Sequence, residues 1–114
     1  MTDTIFGKIA RGEVPADLVY EDEEILAFRD LSPQAPVHLL VIPRKPIATL
    51  NDAQPEDAER LGRLLLAAAK VARQSGIAES GYRTVINCNA AGGQTVYHLH
   101  LHVLGGRPMQ WPPG

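Results

Sequence analysis

The sequence predicts an α+β domain in which a five-stranded antiparallel sheet carries one long helix and one short helix. Five short apolar segments are bounded by clusters of Gly, Pro, Asn and acidic residues, which is typical of strands joined in hairpins. One segment, Pro55–Ser75, has instead the 3.6-residue period of a helix with one apolar face. The chain has 114 residues, 45% hydrophobic and 21% charged, the size and composition of one globular domain. We therefore expect a single domain over residues 1–114.

The first half of the chain predicts a short helix and three strands. The helix is expected at Thr4–Arg11, with Asp3 or Thr4 as its N-cap. Leu18–Glu21 and Ile25–Phe28 lie on either side of an acidic turn and predict a hairpin. The apolar run Val37–Ile42 ends at a proline, as a third strand would.

The second half predicts the long helix and two further strands. Pro55 suits the first turn of the helix and Gly76 its end. Strands are expected at Tyr82–Asn87 and Val96–Leu104, separated by a loop at Asn89–Gly93. The apolar face of the helix is predicted from residues at spacings of four, three and four, namely Leu61, Leu65, Ala68 and Ala72.

Charge and cysteine content exclude several classes of protein. A net charge of -2 argues against the basic surface with which proteins grip nucleic acid polymers, so a phosphate-bearing partner should be small. The single cysteine, Cys88, cannot form an intrachain disulfide and suits a reducing compartment. The chain has neither a signal-like start nor about 18 consecutive apolar residues. We expect a cytoplasmic protein without a membrane anchor.

The most informative segment is the histidine repeat in the last predicted strand. Side chains alternate along a strand, so His98, His100 and His102 are expected on one face, with Leu99, Leu101 and Val103 on the other. The leucine face can pack on the long helix. Three adjacent imidazoles are expensive to bury without partners, which makes a purely structural role for all three the weaker interpretation.

Two chemical interpretations of the repeat remain. Imidazole is a good zinc ligand, but residues at i, i+2 and i+4 spread over about 13 Å of strand, whereas zinc ligands converge on one point. A neutral imidazole is also a nucleophile near pH 7, when Nδ1 bonds to a carbonyl and leaves Nε2 free to attack phosphorus. The preceding Gly92-Gly93-Gln94-Thr95 offers close backbone approach, an amide and a hydroxyl, which suit a phosphate group.

The repeat, followed by Val103-Leu104, resembles the histidine triad signature of the HIT superfamily. Further similarity points to the Hint branch of this superfamily, the histidine triad nucleotide-binding proteins. Members of this branch end in Trp-Pro-Pro-Gly, which is absent from the dinucleoside polyphosphate hydrolase branch. The similar segments cover nearly the whole chain: Asp3–Ile9, Phe28–Pro36, Gly92–Gln94, Tyr97–His98, Gly105–Arg107 and Trp111–Gly114.

This resemblance implies a hydrolase that cleaves the P–N bond of adenosine or guanosine 5′-phosphoramidates and also acts on aminoacyl-adenylates. His100 would be the nucleophile that forms a nucleotidyl-histidine intermediate, oriented by the carbonyl of His98. His102 would hydrogen-bond the phosphate or the leaving group, and His38 would match the fourth histidine of the family. We expect no cofactor and no catalytic metal.

The resemblance also implies a nucleotide site and a homodimer. Asp30 would bind the ribose hydroxyls, and the C-terminal tail with Trp111 would border the site of the other protomer. Thr95 stands where serine is common, and Arg29 stands where some members have histidine. The base pocket would be formed by Phe6, Ile9, Phe28, Arg29 and Leu31, and the phosphate site by Asn87, Gly93, Gln94 and Thr95.

Two other functions stay open at this point. The chain could be a regulatory or scaffold protein that binds nucleotides with incidental turnover, or a zinc-binding protein. An intact histidine triad favours the enzyme, because binding alone does not require an unblocked nucleophile at His100. The apolar residues Phe6, Ile9 and Phe28 could equally be core residues on composition alone.

Overall fold

The computed structural model describes residues 3–114 and confirms the α+β prediction. Met1 and Thr2, which the predicted domain includes, lie outside the described residues. Five strands form one antiparallel sheet in the order β1-β2-β3-β5-β4. The elements in chain order are α1 (Ile5–Ala10), β1 (Leu18–Glu21), β2 (Ile25–Arg29), β3 (Val37–Pro43), α2 (Ala58–Gln74), β4 (Tyr82–Val85), α3 (Asn89–Gly92) and β5 (Leu101–Gly105).

Local chemistry explains the elements of the first half. The Thr4 hydroxyl accepts a hydrogen bond from the Gly7 amide at 3.0 Å and caps α1. In the predicted β1–β2 hairpin, the Asp22 carboxylate accepts the amides of Glu24 and Ile25, both at 2.8 Å, which closes the turn. A 3₁₀ turn at Pro55–Asp57 leads into α2, so the regular helix begins three residues after the predicted start.

The last two strands are shorter than predicted. The expected strand Val96–Leu104 is regular only at Leu101–Gly105, because the Leu99 amide donates to the carbonyl of Ile47 rather than to a sheet neighbour. The expected strand Tyr82–Asn87 ends at Val85, which pairs with His102 near the start of β5. The predicted loop at 89–93 contains the one-turn helix α3.

The main core lies between α2 and one face of the sheet. Leu99, Leu101 and Val103 are buried there, as the alternation predicted. The predicted position of Leu65 in this core is wrong, because 54% of Leu65 is exposed. The predicted Ala68 and Ala72 are buried, Leu61 packs against the margin of the core, and the other buried residues of α2 are Leu64, Ala67 and Val71.

A smaller apolar cluster covers the opposite face of the sheet. Phe6 and Ala10 from α1 pack on the strands there, against Leu26, Phe28, Leu40 and Ile42. Among residues 3–114, no helix has both the length and the apolar character needed to cross a membrane. The sheet thus has an ordinary core on its α2 face and a second face on which polar residues meet this cluster.

Candidate active site

The strands β3 and β5 bring two of the four histidines together on the face opposite α2. His102 pairs with Leu40 in the antiparallel register, and His38 lies two residues before Leu40 on the same face. The two rings have their centroids 5.2 Å apart, and His38 Nε2 is 2.9 Å from His102 Nδ1. The structure thus brings His38 next to His102 of the triad.

His100 is held in one tautomer immediately before β5. Its Nδ1 lies 2.7 Å from the carbonyl oxygen of His98, and a carbonyl can only accept, so Nδ1 carries the proton. Nε2 is then left with its lone pair free. The ring is buried, with Phe6 packed edge-on at a centroid distance of 5.0 Å and His102 also at 5.0 Å. This arrangement fixes a neutral imidazole with an available nitrogen, which is what nucleophilic attack requires.

His98 is the most buried of the triad and orients its neighbour through the backbone. Its Nε2 lies 2.7 Å from the carbonyl of Pro43, to which it donates, so the ring anchors the segment to the end of β3. Leu99 beside it is buried in the core on the α2 side, as the alternation predicted, although the chain around His98 is not a regular strand. Its contribution to the site is the carbonyl that His100 uses.

A relay of hydrogen bonds determines the tautomer of His102. The amide of Gln34 donates to His38 Nδ1 at 3.0 Å, so the proton of a neutral His38 ring is on Nε2. His38 Nε2 donates to His102 Nδ1 at 2.9 Å, and His102 consequently carries its own proton on Nε2. His102 thereby presents a donor, as the predicted contact to phosphate or leaving group requires.

Burial keeps all four imidazoles neutral. It lowers the pKa of His38, His98 and His100 below the ordinary value of 6.5, although the Asp30 carboxylate opposes the shift at His38 and His100. His102 is affected most: burial, together with the neighbouring His100 and His38, lowers its pKa to about 4. At neutral pH these rings are therefore uncharged.

The predicted base pocket divides into two groups. Phe6, Ile9 and Phe28 belong to the small apolar cluster beside His100, with the rings of Phe6 and Phe28 in edge contact at 5.5 Å. Arg29 follows Phe28 in β2 and therefore points to the other face, where it pairs with Asp17 at 3.1 Å. Leu31 is 99% exposed. The structure brings together the first three residues but not Arg29.

The predicted phosphate loop is ordered by Gln94. Its amide oxygen accepts the Asn89 amide at 2.9 Å, and its amide nitrogen donates to the carbonyls of Ala48 and Val96 at 2.9 and 3.0 Å. The buried side chain is thus directed into the backbone rather than towards a ligand. Thr95 is exposed, and Gly93 has a positive φ of 88°, a conformation that favours glycine.

The other predicted residues frame the same site. Asn87 is half-buried, and its side chain lies close to Gly93, where an added Cβ would be 4.0 Å from Asn87 Nδ2. Asp30 accepts the Ser32 amide on Oδ1 at 2.7 Å, while its Oδ2 lies 3.4 Å from His38 Nε2. The sequence did not reveal that the backbone amide of Gln34 and the backbone carbonyl of Pro43 bind His38 and His98. Every residue type has a backbone carbonyl and nearly every type has a backbone amide, so the sequence cannot indicate such partners.

Within the part of the chain that the structure describes, Asp30, His38 and His102 could together surround a metal ion. Their nearest ligand atoms all lie within 4.8 Å of one another. A metal-bound histidine normally donates a proton from its other nitrogen, but His38 Nδ1 receives one from Gln34. His38 can bind a metal at Nε2 only if this hydrogen bond is broken. The tautomers therefore fit hydrogen bonding better than metal binding.

A separate cleft of about 690 Å³ lies beside His98 on the side of the Lys45–Asp57 segment. Two of its charged lining residues, Lys45 and buried Asp57, are paired at 2.8 Å. Arg11 in the same cleft pairs with Asp3 and Glu13. These pairs neutralise the cations, so the cleft does not present an anion site comparable with the histidine cluster.

Comparison with known proteins gives concordant results. Residues 11–109 match the HIT domain family. A protein of Synechococcus elongatus described as an uncharacterized HIT-like protein is 64% identical over 112 residues, covering 98% of this chain and 97% of its own. Purine nucleoside phosphoramidase of Escherichia coli strain K12 is 56% identical over 107 residues, covering 94% and 90%. A crystal structure of a HIT family hydrolase from Legionella pneumophila superposes with a TM-score of 0.96 at 58% identity, covering 98% and 100%.

Proposed function

Because this chain belongs to the HIT domain family, we propose that it is a hydrolase that cleaves the P–N bond of purine nucleoside 5′-phosphoramidates. The observation that carries the proposal is the 2.7 Å hydrogen bond between His100 Nδ1 and the His98 carbonyl, which frees Nε2 for attack. The activity named for the E. coli relative supports the same substrate class. Aminoacyl-adenylates, which also carry a leaving group on the α-phosphorus, are the second expected class.

The reaction proceeds in two halves through a covalent intermediate. His100 Nε2 attacks the α-phosphorus, a new N–P bond forms and the bond from phosphorus to the amine breaks. The departing amine takes one proton from solvent, while the Nε2–H of His102 hydrogen-bonds the phosphate or the amine. Water then displaces His100 from phosphorus and returns a proton to solvent. The products are a nucleoside monophosphate, the free amine and the original enzyme.

The substrate is bound by groups on three sides of His100. The purine lies against Phe6, Ile9 and Phe28, whose apolar surfaces read shape more than hydrogen-bonding pattern. Asp30 accepts hydrogen bonds from the ribose hydroxyls. The phosphate is held beside Gly93 by Asn87 and by the exposed hydroxyl of Thr95, and Gln94 holds this loop in shape. Arg29 and Leu31 take a lesser part, because Arg29 pairs with Asp17 on the other face and Leu31 is almost fully exposed.

The proposal includes a homodimer of one HIT domain per chain, spanning residues 1–114. β4 is one of the two edge strands of the sheet, and a second copy can pair with it. Arg83 on this strand donates to the carbonyl of Gln110 at 2.7 Å and holds the tail beside it, while Trp111 is 81% exposed. The tail would border the partner's site. A cytoplasmic location, without membrane or nucleic acid polymer as partner, completes the proposal.

Replacement of His100 tests the nucleophile. His100→Ala should lose on the order of 10³-fold or more of the turnover of adenosine 5′-phosphoramidate, yet still bind AMP in calorimetry. The matched replacement His98→Ala should lose less. Rapid quenching of native enzyme with labelled substrate should trap an adduct that survives alkali but not acid. Absence of the adduct, with activity restored to chelated enzyme by zinc, would assign the attack to metal-bound water instead.

A further inference from the structure

Asp30 contacts the same histidine that determines the tautomer of His102. Its Oδ2 lies 3.4 Å from His38 Nε2, and His102 Nδ1 lies 2.9 Å from the same nitrogen. Since Gln34 occupies His38 Nδ1, a neutral His38 has one proton to offer to these two acceptors. The carboxylate and the imidazole of His102 therefore compete for a single hydrogen bond.

The outcome of this competition determines what His102 offers to a substrate. When His38 donates its proton to His102 Nδ1, His102 carries its own proton on Nε2. It then presents a hydrogen-bond donor to the substrate. If His38 turns its proton to Asp30, Nδ1 of His102 is free to take a proton through water while Nε2 releases one. In that tautomer Nε2 can only accept, and the phosphate or leaving amine loses its donor.

The geometry of Asp30 permits this change with a small movement. Oδ1 is held by the Ser32 amide at 2.7 Å, so a small rotation about this anchor can change the distance from Oδ2 to His38. A charge-assisted hydrogen bond has an optimum of about 2.7–2.9 Å, shorter than the present 3.4 Å. The side chain is 20% exposed and can therefore also be reached by a ligand.

We propose that the ribose of the substrate holds His102 in its donor tautomer by occupying Asp30, which would otherwise compete for the His38 proton. This inference rests on the proposed function, in which the ribose hydroxyls donate to Asp30. Once those hydroxyls satisfy the carboxylate, its attraction for the His38 proton falls, and His38 donates to His102 alone. His38 is then a positioning residue, and the sugar contributes to the rate of the chemical step as well as to affinity.

Kinetics with matched sugars separate this coupling from simple binding. Native enzyme should turn over the 2′,3′-dideoxy analogue of adenosine 5′-phosphoramidate with a kcat lower on the order of 10-fold. This loss is part of the rate enhancement that a positioned proton donor contributes. In Asp30→Asn, which lacks the competing charge, kcat should be nearly equal for the two sugars. Asp17→Asn, an exposed change on the Arg29 side, should keep the native difference. A dideoxy effect confined to KM in native enzyme would overturn the coupling.

Nitrogen NMR of the histidine rings supplies a measurement that does not depend on turnover. In the AMP complex, His102 should show a protonated Nε2 and an unprotonated Nδ1. The complex with 2′,3′-dideoxy-AMP should show a shift towards the opposite tautomer. Identical spectra for the two complexes would refute the coupling while leaving phosphoramidase activity intact. Lack of turnover of every phosphoramidate would refute the proposed function, and the NMR comparison would still decide the coupling.

Discussion

Replacement of Gln94 by methionine should loosen the phosphate loop without changing any group that contacts substrate. Methionine has a similar shape and fills the same buried space, but it cannot make the three hydrogen bonds of the amide. Those bonds join the Asn89 amide, the Ala48 carbonyl and the Val96 carbonyl, which lie in three separate segments. The substitution therefore tests hydrogen bonding separately from packing.

The expected loss of stability follows from the number of these bonds. At about 0.5–1.5 kcal/mol each, the three bonds of Gln94 contribute about 1.5–4.5 kcal/mol to the free energy of unfolding. Gln94→Glu should lower the free energy of unfolding more than Gln94→Met does. The carboxylate of the glutamate would face the two carbonyl oxygens to which the amide nitrogen now donates. The loss of loop order should also reduce kcat/KM by about 10- to 100-fold, since small misplacements of bound groups have effects of this size.

Urea denaturation and steady-state kinetics measure both effects. The control is Gln74→Met at the exposed end of α2, which makes the same chemical change far from the loop and should alter stability by less than about 0.5 kcal/mol. If Gln94→Met were as stable and as active as the control, the three hydrogen bonds would not order the site, and the role assigned to Gln94 would be wrong.

Three further predictions concern pH, the base pocket and the tail. Burial lowers the pKa of His98 and His100, and that of His102 to about 4, so below pH 6.5 the unfolded chain binds protons that the folded protein does not. The free energy of unfolding should therefore fall as pH drops from 6.5 towards 4 in denaturant titrations, and a rise over this range would contradict neutral buried rings. Phe6→Ala should weaken AMP binding in calorimetry by removing apolar contact, whereas Arg29→Ala should leave it within about two-fold, because Arg29 is on the other face; equal losses would place both in the pocket. Deletion of the chain from Met109 onward should change leaving-group preference more than nucleotide affinity if the tail borders the partner's site, and equal losses across a panel of phosphoramidates would exclude that placement.

Patterns that depend on near neighbours in the chain predicted most of the fold. The hairpin around Asp22 follows from a turn residue between two apolar runs, and α2 follows from a sustained helical period. The grouping of His38 with His102 came from resemblance, and the pairing of β3 with β5 explains it. The error at Leu65 arose because the neighbouring Leu64 and Leu65 both suit the helical period, and only packing on the sheet shows that Leu64 faces the core.

The sequence could not predict the contacts of residues whose side chains suit more than one kind of partner. Gln94 has an amide that suits a phosphate, but it is used by backbone groups as distant as Ala48. Arg29 was grouped with Phe28 by resemblance, although strand alternation alone places the two on opposite faces. For Gln94 the deciding contacts are long-range, and the identity of the side chain gives no information about them.

The irregular segment before β5 and the reactive state of His100 have one physical cause. In a regular antiparallel strand, backbone carbonyls accept amides of the neighbouring strand. Here the Leu99 amide donates to Ile47 and the His98 ring donates to Pro43, and the His98 carbonyl accepts the ring proton of His100 at 2.7 Å. A regular strand continuous through the triad would have committed that carbonyl to the sheet. His100 would then have had no fixed tautomer, so the early end of regular pairing is what makes Nε2 available.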